Sequence, residues 1–570
     1  MPTVHLLDYG AGNVRSVRNA LGKLGCDIVD VRTPEDLSKA KMLVFPGVGA
    51  FGSAMERLHS MKMTEALVDY VKKGRPFFGV CLGMQLLFES SDESKGVKGL
   101  GIIPGNVSKF EPAGHSPIKE EEENNSSSGG VPMRVPHMGW NGLRSTDPML
   151  EGVAGSKEVY FVHSYKAEIC EENKDWIMSL TDYGTTSFIS SVRKGRVVAM
   201  QFHPEKSGKT GLSLIKKVLD VCLSEASIPT SIGTGGSSDK ELQKKKTTMC
   251  NRIIACLDVR SNDDGDLVVT KGDCYDVREK SDDGKKGRVR NLGKPVALAQ
   301  RYYEEGADEI TFLNITSFRE MPATDAPMIN VLQETSKNVF VPLTIGGGIR
   351  DYKDTDGNMW SALDVASTYF RAGADKVSIG SDAVKAAMKW WADGKKACGK
   401  SSIEQISSVY GAQAVVISVD PKRAYVASKD SEELKNKGHT VIETKIPGPN
   451  GEKFCWFRCT SAGGRKELDF DVAALVIACE ALGAGEILLN SIDCDGQQKG
   501  YDLELIDMVC RTVTLPVIAS SGAGKPQHFS DLFESTTSQA ALASGIFHRK
   551  QVQIEDVKKH LKTTKHAVRM

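Results

Sequence analysis

A cysteine between glycines, in Gly79-Val80-Cys81-Leu82-Gly83, is the first group in this chain with the setting of a nucleophile. It follows the apolar run PFF and precedes the helix-like MQLLFES, so a sharp strand-to-helix turn would hold the thiol at a helix N-terminus, where thiolate is favoured. A lone cysteine is more often a small buried hydrophobe, and two other segments decide against that reading here. In Gln201-Phe202-His203-Pro204-Glu205 a strand ending VVAMQF delivers an imidazole, with a carboxylate two positions on that can orient it. Cys81, His203 and Glu205 then supply nucleophile, proton acceptor and tautomer-fixing acid, the logic of acyl transfer through a covalent intermediate. Pro46-Gly47-Val48-Gly49, a turn after the strand MLVF, has backbone N–H groups able to face a developing oxyanion.

A second constellation lies in the other half of the chain. Asp258 closes the strand-like IIACLD and Asp420 closes AVVISVD, two segments that echo each other. A single strand-end aspartate is usually a turn former, but a matched pair can divide acid and base work on one substrate if their environments separate their proton affinities. Glycine-rich strand ends recur as well: Gly346-Gly347-Gly348 and Gly380-Ser381 in one stretch, Ser521-Gly522 and Ser544-Gly545 in the other. Such turns leave N–H groups free to cradle phosphate, and two of them suit a substrate phosphorylated at both ends.

These groups need two scaffolds. Residues 1–222 alternate short apolar runs (VHLLDY, MLVFPGVG, PFFGVCLG, VYFVHSY, VVAMQFHPE) with helical stretches, the pattern of an α/β domain, with an acidic then Ser/Gly-rich loop insertion at 111–130. Residues 223–250, polar and Lys-rich, read as a linker. From 251 to 570 strand and helix alternate with an internal repeat: IIACLDVR echoes AVVISVDPKR, GADEITFLNIT echoes GAGEILLNSID, VPLTIGGGIR echoes LPVIASSGAG, and GADKVSIGS loosely echoes AALASGIF. Four strands per half predict an eight-stranded (β/α) TIM barrel whose strand ends carry the chemistry, with the excess length in polar insertions near 261–291, 351–361 and 386–404. Lys+Arg and Asp+Glu are balanced at 73 each, which argues against nucleic-acid or membrane-surface partners and for a small-molecule substrate. Thirteen scattered cysteines without a CxxC pair fit reduced thiols, and the N-terminus has no signal-peptide pattern, so a cytoplasmic protein is expected. No His/Cys/Asp cluster has metal spacing, and neither metal nor other cofactor is expected.

GVCLGMQLL with QFHPE resembles the class I (triad) glutamine amidotransferases over nearly all of residues 3–222. That resemblance implies a glutamyl thioester at Cys81, His203 as base and then acid, Glu205 holding His203, and glutamine with its oxyanion held by Gly47, Val48, Gly49, Leu82, Gln85, Ser164 and Tyr165. His163 is left outside the catalytic set. RIIACLDV, VVTKG, GGGIRD, GADKVSIG, QAVVISVDPKR, GAGEILLNSIDCDG and IASSGAGK resemble the cyclase component of imidazole glycerol phosphate synthases, and fusion in one chain resembles the fungal and plant form. Implied there are Asp258 and Asp420 as the acid/base pair, and substrate contacts from Lys271, Gly347, Gly348, Gly380, Ser381, Asp495, Ser521, Gly522, Ser544 and Gly545. Ammonia is implied to enter through the barrel bottom past Arg252, Glu309, Lys376 and Glu486, which without the resemblance would read as strand-start salt bridges. Asn314, Gly380 and Ser521 depart from the bacterial pattern. The implied reaction converts glutamine and the ribulosyl-form bisphosphorylated aminoimidazole carboxamide nucleotide (PRFAR) to glutamate, imidazole glycerol phosphate and aminoimidazole carboxamide ribonucleotide, with no separate glutaminase subunit. The competing readings are a histidine-pathway isomerase-like barrel and a nucleotide sensor, each carrying a vestigial amidotransferase.

Overall fold

A computed structural model describes residues 1–10, 12–112, 133–224, 246–263, 266–270, 291–315, 326–354 and 357–570. In the N-terminal part, β1 (Thr3–Leu7), β2 (Asp27–Val31), β3 (Leu43–Phe45), β4 (Phe77–Val80) and β5 (Val197–Met200) form a parallel set in the order β2-β1-β3-β4-β5. The sheet continues antiparallel through Thr186–Lys194 to Tyr165–Ala167 and Ile103–Lys109, giving ten strands in all. The inner parallel strands β3, β4 and β5 are nearly continuous hydrophobic runs because both faces are covered, and a separate apolar cluster fills each face, whereas the edge strand β2 (DIVDV) is largely open. β4 and β5 pair in register from Phe77↔Val197 to Val80↔Met200, which brings the ends that carry Cys81 and Gln201 side by side.

The C-terminal part closes a barrel of eight parallel strands: β6 (Arg252–Ser261), β7 (Glu309–Asn314), β8 (Leu343–Gly346), β9 (Lys376–Ile379), β10 (Val415–Val419), β11 (Glu486–Asn490), β12 (Val517–Ser520) and β13 (Ala540–Ala543). Closure is the β6–β13 pairing that begins at Arg252↔Ala540. The four echoed segments occupy strands one to four and five to eight in the same order. Alternation along the strands sorts the side chains. Ile253, Ala255 and Leu257 of β6 pack outward with the helices, whereas Ile254 and Cys256 lie in a small apolar cluster inside the barrel with Val416, Leu488, Ile518, Ala540 and Leu542. Asp258 has the parity of Ile254 and Cys256, and Asp420 that of Val416, so both acids face inward at the C-terminal ends.

Two features differ from the sequence expectation. After β10 the chain makes an antiparallel sheet of its own, from Pro421–Val426, Ile442–Glu443, Phe454–Ser461 and Lys466–Asp471, and much of the extra length resides there. The segment 386–404 is not wholly an insertion, because the helix Ser381–Ala392 runs into it. Within 351–361, Tyr352–Lys353 pairs antiparallel with Met359–Trp360. Most of the 111–130 and 261–291 insertions, most of the linker, and Lys271 lie outside the described residues.

The two parts share a largely apolar floor. The hairpin His137–Gly142/Glu158–His163 projects from the N-terminal part, and its Met138, Trp140 and Tyr160 belong to the apolar cluster of the barrel. Trp140 Nε1 donates to the Asp308 carbonyl at 3.2 Å. Arg569, near the C-terminus, lays its guanidinium over the Trp140 ring, 4.1 Å from the centroid. Polar pins surround this contact: Lys206 Nζ lies 2.6 Å from Asp375 Oδ2, Asn13 Nδ2 2.7 Å from Asp375 Oδ1, and Arg134 Nη1 2.7 Å from the Val513 carbonyl.

Candidate active site

Cys81 stands at the turn between β4 and the short helix Leu82–Gln85 with φ 52°, ψ −107°. That is an uncommon backbone for a residue with a side chain, costing on the order of 1–3 kcal/mol. The glycines on either side make the turn possible, since a Cβ on Gly83 would lie 2.1 Å from the Phe45 carbonyl oxygen and one on Gly79 2.9 Å from Ala199. His203 and Glu205 follow β5, and His203 Nδ1 sits 2.7 Å from Glu205 Oε1. Burial works against charge on this imidazole, but neighbouring Cys81 and Glu205 outweigh it and hold the ring well above its usual range. Nδ1 is engaged by Glu205, so Nε2 is left for the thiol.

The cavity beside Cys81 is small, about 40 Å³, and is lined by Val48, Gly49, Leu82, Gln85, Ser164, Tyr165 and His203. Gly47 lies behind this wall. Its carbonyl accepts the Leu82 N–H at 3.4 Å, so one expected oxyanion donor is turned onto the chain itself. A Cβ on Gly47 would meet Gly83 N at 2.4 Å, which explains the glycine. The same turn touches the barrel, with Ala50 N donating to the Val409 carbonyl at 3.2 Å. His163 also lines the cavity, but its Nδ1 donates to the Tyr165 carbonyl at 2.7 Å and its Nε2 meets His137 Nδ1 at 3.1 Å. Burial pushes it down to about 3, so it serves as a neutral link in the core.

The far wall of this cavity is barrel floor: Tyr160 with Asp375, Lys376, Gln413 and Ala414. There the four charges at strand starts close a cycle. Arg252 bonds Glu309 at 2.7 Å and Glu486 at 2.6 Å, and Lys376 bonds each of the same carboxylates at 2.7 Å. All four are buried. Burial disfavours charge on Glu309, yet Arg252 and Lys376 together lower its proton affinity, so this carboxylate is held ionised. Tyr160 hydroxyl reaches Glu309 Oε1 at 3.3 Å, and Lys376 Nζ lies 3.6 Å from Met138 Sδ. Gly139 is glycine because a Cβ would sit 3.2 Å from Arg252 Cδ and 2.5 Å from Met249. Removing one carboxylate leaves buried cations short of a partner. Glu309→Ala is therefore expected to lower stability by about 3 kcal/mol, read as a fall in the urea midpoint at unchanged slope.

At the other end the barrel opens into a cavity of about 370 Å³. Asp258 and Asp420 line it together, as do Gly347, Gly348, Gly380, Ser381, Asp495, Ser521, Gly522, Ser544 and Gly545. Ser521 holds φ 75°, the glycine-like conformation of the turn it occupies. Ser381 Oγ accepts the Ala462 N–H at 2.9 Å, tying the sheet after β10 to the cavity rim. Asp420 Oδ1 accepts from Asn490 Nδ2 at 3.0 Å. Burial raises the Asp420 carboxyl; the Asn490 bond opposes this and Asp495 adds to it.

Several residues here were not singled out from sequence. Arg260, Arg350, Lys385, Arg465 and Arg549 bring positive charge to the wall of the barrel cavity. The Arg residues ending IIACLDVR and GGGIR could have been flagged, the first two positions past Asp258 on β6 and the second four positions past the end of β8. Glu93 lines the Cys81 cavity and accepts the Phe51 N–H at 2.7 Å, and burial raises its carboxyl. Nothing local in the sequence marks Glu93, Asn490 or Tyr160, which reach their sites by tertiary packing.

Comparison with known proteins follows this division. The glutamine amidotransferase class-I family model matches residues 5–221, and the histidine biosynthesis protein family model matches residues 252–553. The chloroplastic imidazole glycerol phosphate synthase hisHF of Arabidopsis thaliana is 54% identical over 568 residues, covering 100% of this chain and 89% of that protein. The hisHF proteins of Emericella nidulans and Schizosaccharomyces pombe are each 50% identical, with 98% of both chains covered in each case.

Proposed function

The chain belongs to the imidazole glycerol phosphate synthase hisHF family, a glutamine amidotransferase and cyclase of histidine biosynthesis fused in one polypeptide, and we propose that its two cavities work in series on one nitrogen atom. We assign the glutaminase to residues 1–222, the linker to 223–250 and the cyclase to 251–570. His203 takes the Cys81 thiol proton, the thiolate attacks the glutamine carboxamide carbon, and the same imidazole gives the proton to the departing nitrogen. Ammonia and a glutamyl thioester result; water then releases glutamate. Glu205 keeps His203 in the working tautomer. Glu93, a carboxylate at the pocket wall, suits the α-ammonium of glutamine. The Gly47 carbonyl must turn away from Leu82 before both the Leu82 N–H and the turn can serve the oxyanion.

Ammonia then crosses the floor beside Lys376, which requires one contact of the charged ring to part, and rises through the apolar interior of Ile254, Cys256, Val416 and Leu488. Such a passage favours the neutral base over ammonium. At the mouth PRFAR is held by its two phosphates at the glycine turns and arginines. Ammonia adds to the substrate ketone. Asp420, whose burial favours the protonated form, gives its proton to the departing oxygen; Asp258 accepts the proton lost as the imine leads to cleavage and ring closure. Free, scattered cysteines among the described residues support a cytoplasmic setting.

The observation that carries this reading is the shared wall: the Cys81 cavity is bounded by Lys376 of the ring that floors the barrel. An isotope experiment tests it. With amide-¹⁵N glutamine and excess unlabelled ammonium chloride, the new ring nitrogen is expected to carry mostly ¹⁵N by mass spectrometry. Dilution to the bulk ratio would mean that ammonia escapes to solvent between the sites.

A further inference from the structure

Gln201 is fully buried, and the reaction scheme above gives it no task. Its amide nitrogen lies 3.5 Å from Cys81 Sγ, and its amide oxygen lies 3.0 Å from Nε2 of Gln85. Gln85 Nε2 lies in turn 3.0 Å from the Tyr165 carbonyl oxygen. The two ends of a glutamine amide have nearly the same shape, so their orientation is decided by partners. A main-chain carbonyl only accepts, so the Gln85 group facing Tyr165 is the NH₂. That NH₂ also faces Gln201 and needs an acceptor there, which is the Gln201 carbonyl oxygen. The Gln201 NH₂ is thereby left pointing at the sulfur. One backbone carbonyl thus fixes two side-chain amides in sequence.

We propose that Gln201 is a catalytic residue of the glutaminase, donating an N–H to the Cys81 thiolate and held in that orientation by Gln85 and the Tyr165 carbonyl. The need is physical. Cys81 is nearly buried, and the helix that follows it has only four residues, so little helix dipole is at hand to favour the anion. A hydrogen bond to an ionised group is among the stronger neutral-donor contacts, and here its donor is preoriented before glutamine arrives. β4 and β5 supply the geometry: their parallel register sets the first residue beyond each strand, Cys81 and Gln201, next to each other.

The inference rests on Cys81 as nucleophile, and the test separates the two. Cys81 alkylation by iodoacetamide is followed in the full-length enzyme by mass spectrometry of the peptide that contains it, at pH 7 and at pH 10, for the unaltered protein, Gln201→Met and Gln201→Glu. The donor-free Gln201→Met is expected to react about tenfold more slowly at pH 7, the worth of one charge-assisted bond, and at the unaltered rate at pH 10, where thiolate no longer needs help. Gln201→Glu is expected to lose more at pH 7. If Cys81 of the unaltered enzyme resists alkylation at pH 7, the nucleophile reading itself fails. If it reacts, but Gln201→Met matches it at pH 7 or is slowed equally at both pH values, Gln201 only packs the site and the inference is overturned. Should Gln201→Met not fold, Gln85→Met unpins the Gln201 amide, and the same loss confined to pH 7 is expected; its absence overturns the inference equally.

Discussion

Cys81→Ala is expected to reduce glutamine-supported ring formation by about 10⁴-fold or more, while synthesis supplied with ammonium salt continues. The expectation follows from where the sulfur sits. It makes and breaks the only covalent bond proposed between glutamine and the protein, so nothing in that cavity can replace it. Its cavity nevertheless lies on the far side of the charged ring from Asp258 and Asp420, and an alanine there leaves the hairpin that carries Met138, Trp140 and Tyr160 in place. Chromatographic assay of the imidazole product with each nitrogen donor measures both limbs. Loss of synthesis with both donors would mean that the two sites are not separable and that the series arrangement is wrong.

Asp258→Asn should give the converse. Ring closure is expected to fall by about 10²–10⁴-fold, the usual worth of a positioned proton-transfer group, and glutamine hydrolysis without nucleotide should continue. Asparagine keeps the size and inward parity of the side chain but cannot accept a proton. The pairing of β6 with β7, which sets Asp258 opposite Leu313, does not depend on the carboxylate. Glutamate release and imidazole formation are measured in the same reaction. Normal cyclisation by this variant would remove Asp258 from the chemistry and leave it as a strand-end residue.

Much of this arrangement could be read before any coordinates. Inward placement of Asp258 and Asp420 follows from counting along IIACLD and AVVISVD, because strand side chains alternate with a period of two. Cys81 was legible because Gly79 and Gly83 announce a turn too tight for other residues, as the lack of room for a Cβ beside Ala199 and the Phe45 carbonyl bears out. What stayed hidden depends on closure between remote segments. Glu93 reaches the Cys81 cavity only because the turn after the strand Phe88–Ser91 folds back toward the helix that begins at Phe51, whose first N–H the Glu93 carboxylate accepts. Asn490 meets Asp420 only through the β10–β11 neighbourhood. The sheet after β10 stayed hidden as well, because its strands are separated by Gly, Pro and Lys stretches that read as loop, and its order comes from mutual pairing and from contacts such as Arg423 with Asp502 and Glu504.

The hairpin that buries Met138, Trp140 and Tyr160 in the core of the barrel has a consequence for why the two enzymes are one polypeptide. An interface already secured by apolar burial and by Asp375, Asp308 and Arg134 does not need the linker for affinity. With these contacts in place, cutting the chain within 223–250 is expected to leave the halves co-eluting in size-exclusion chromatography. Covalent joining instead guarantees equal numbers of each half and an immediate encounter at synthesis, raising local concentration without adding a contact. The tether is thus a device of stoichiometry, and the floor itself supplies the grip.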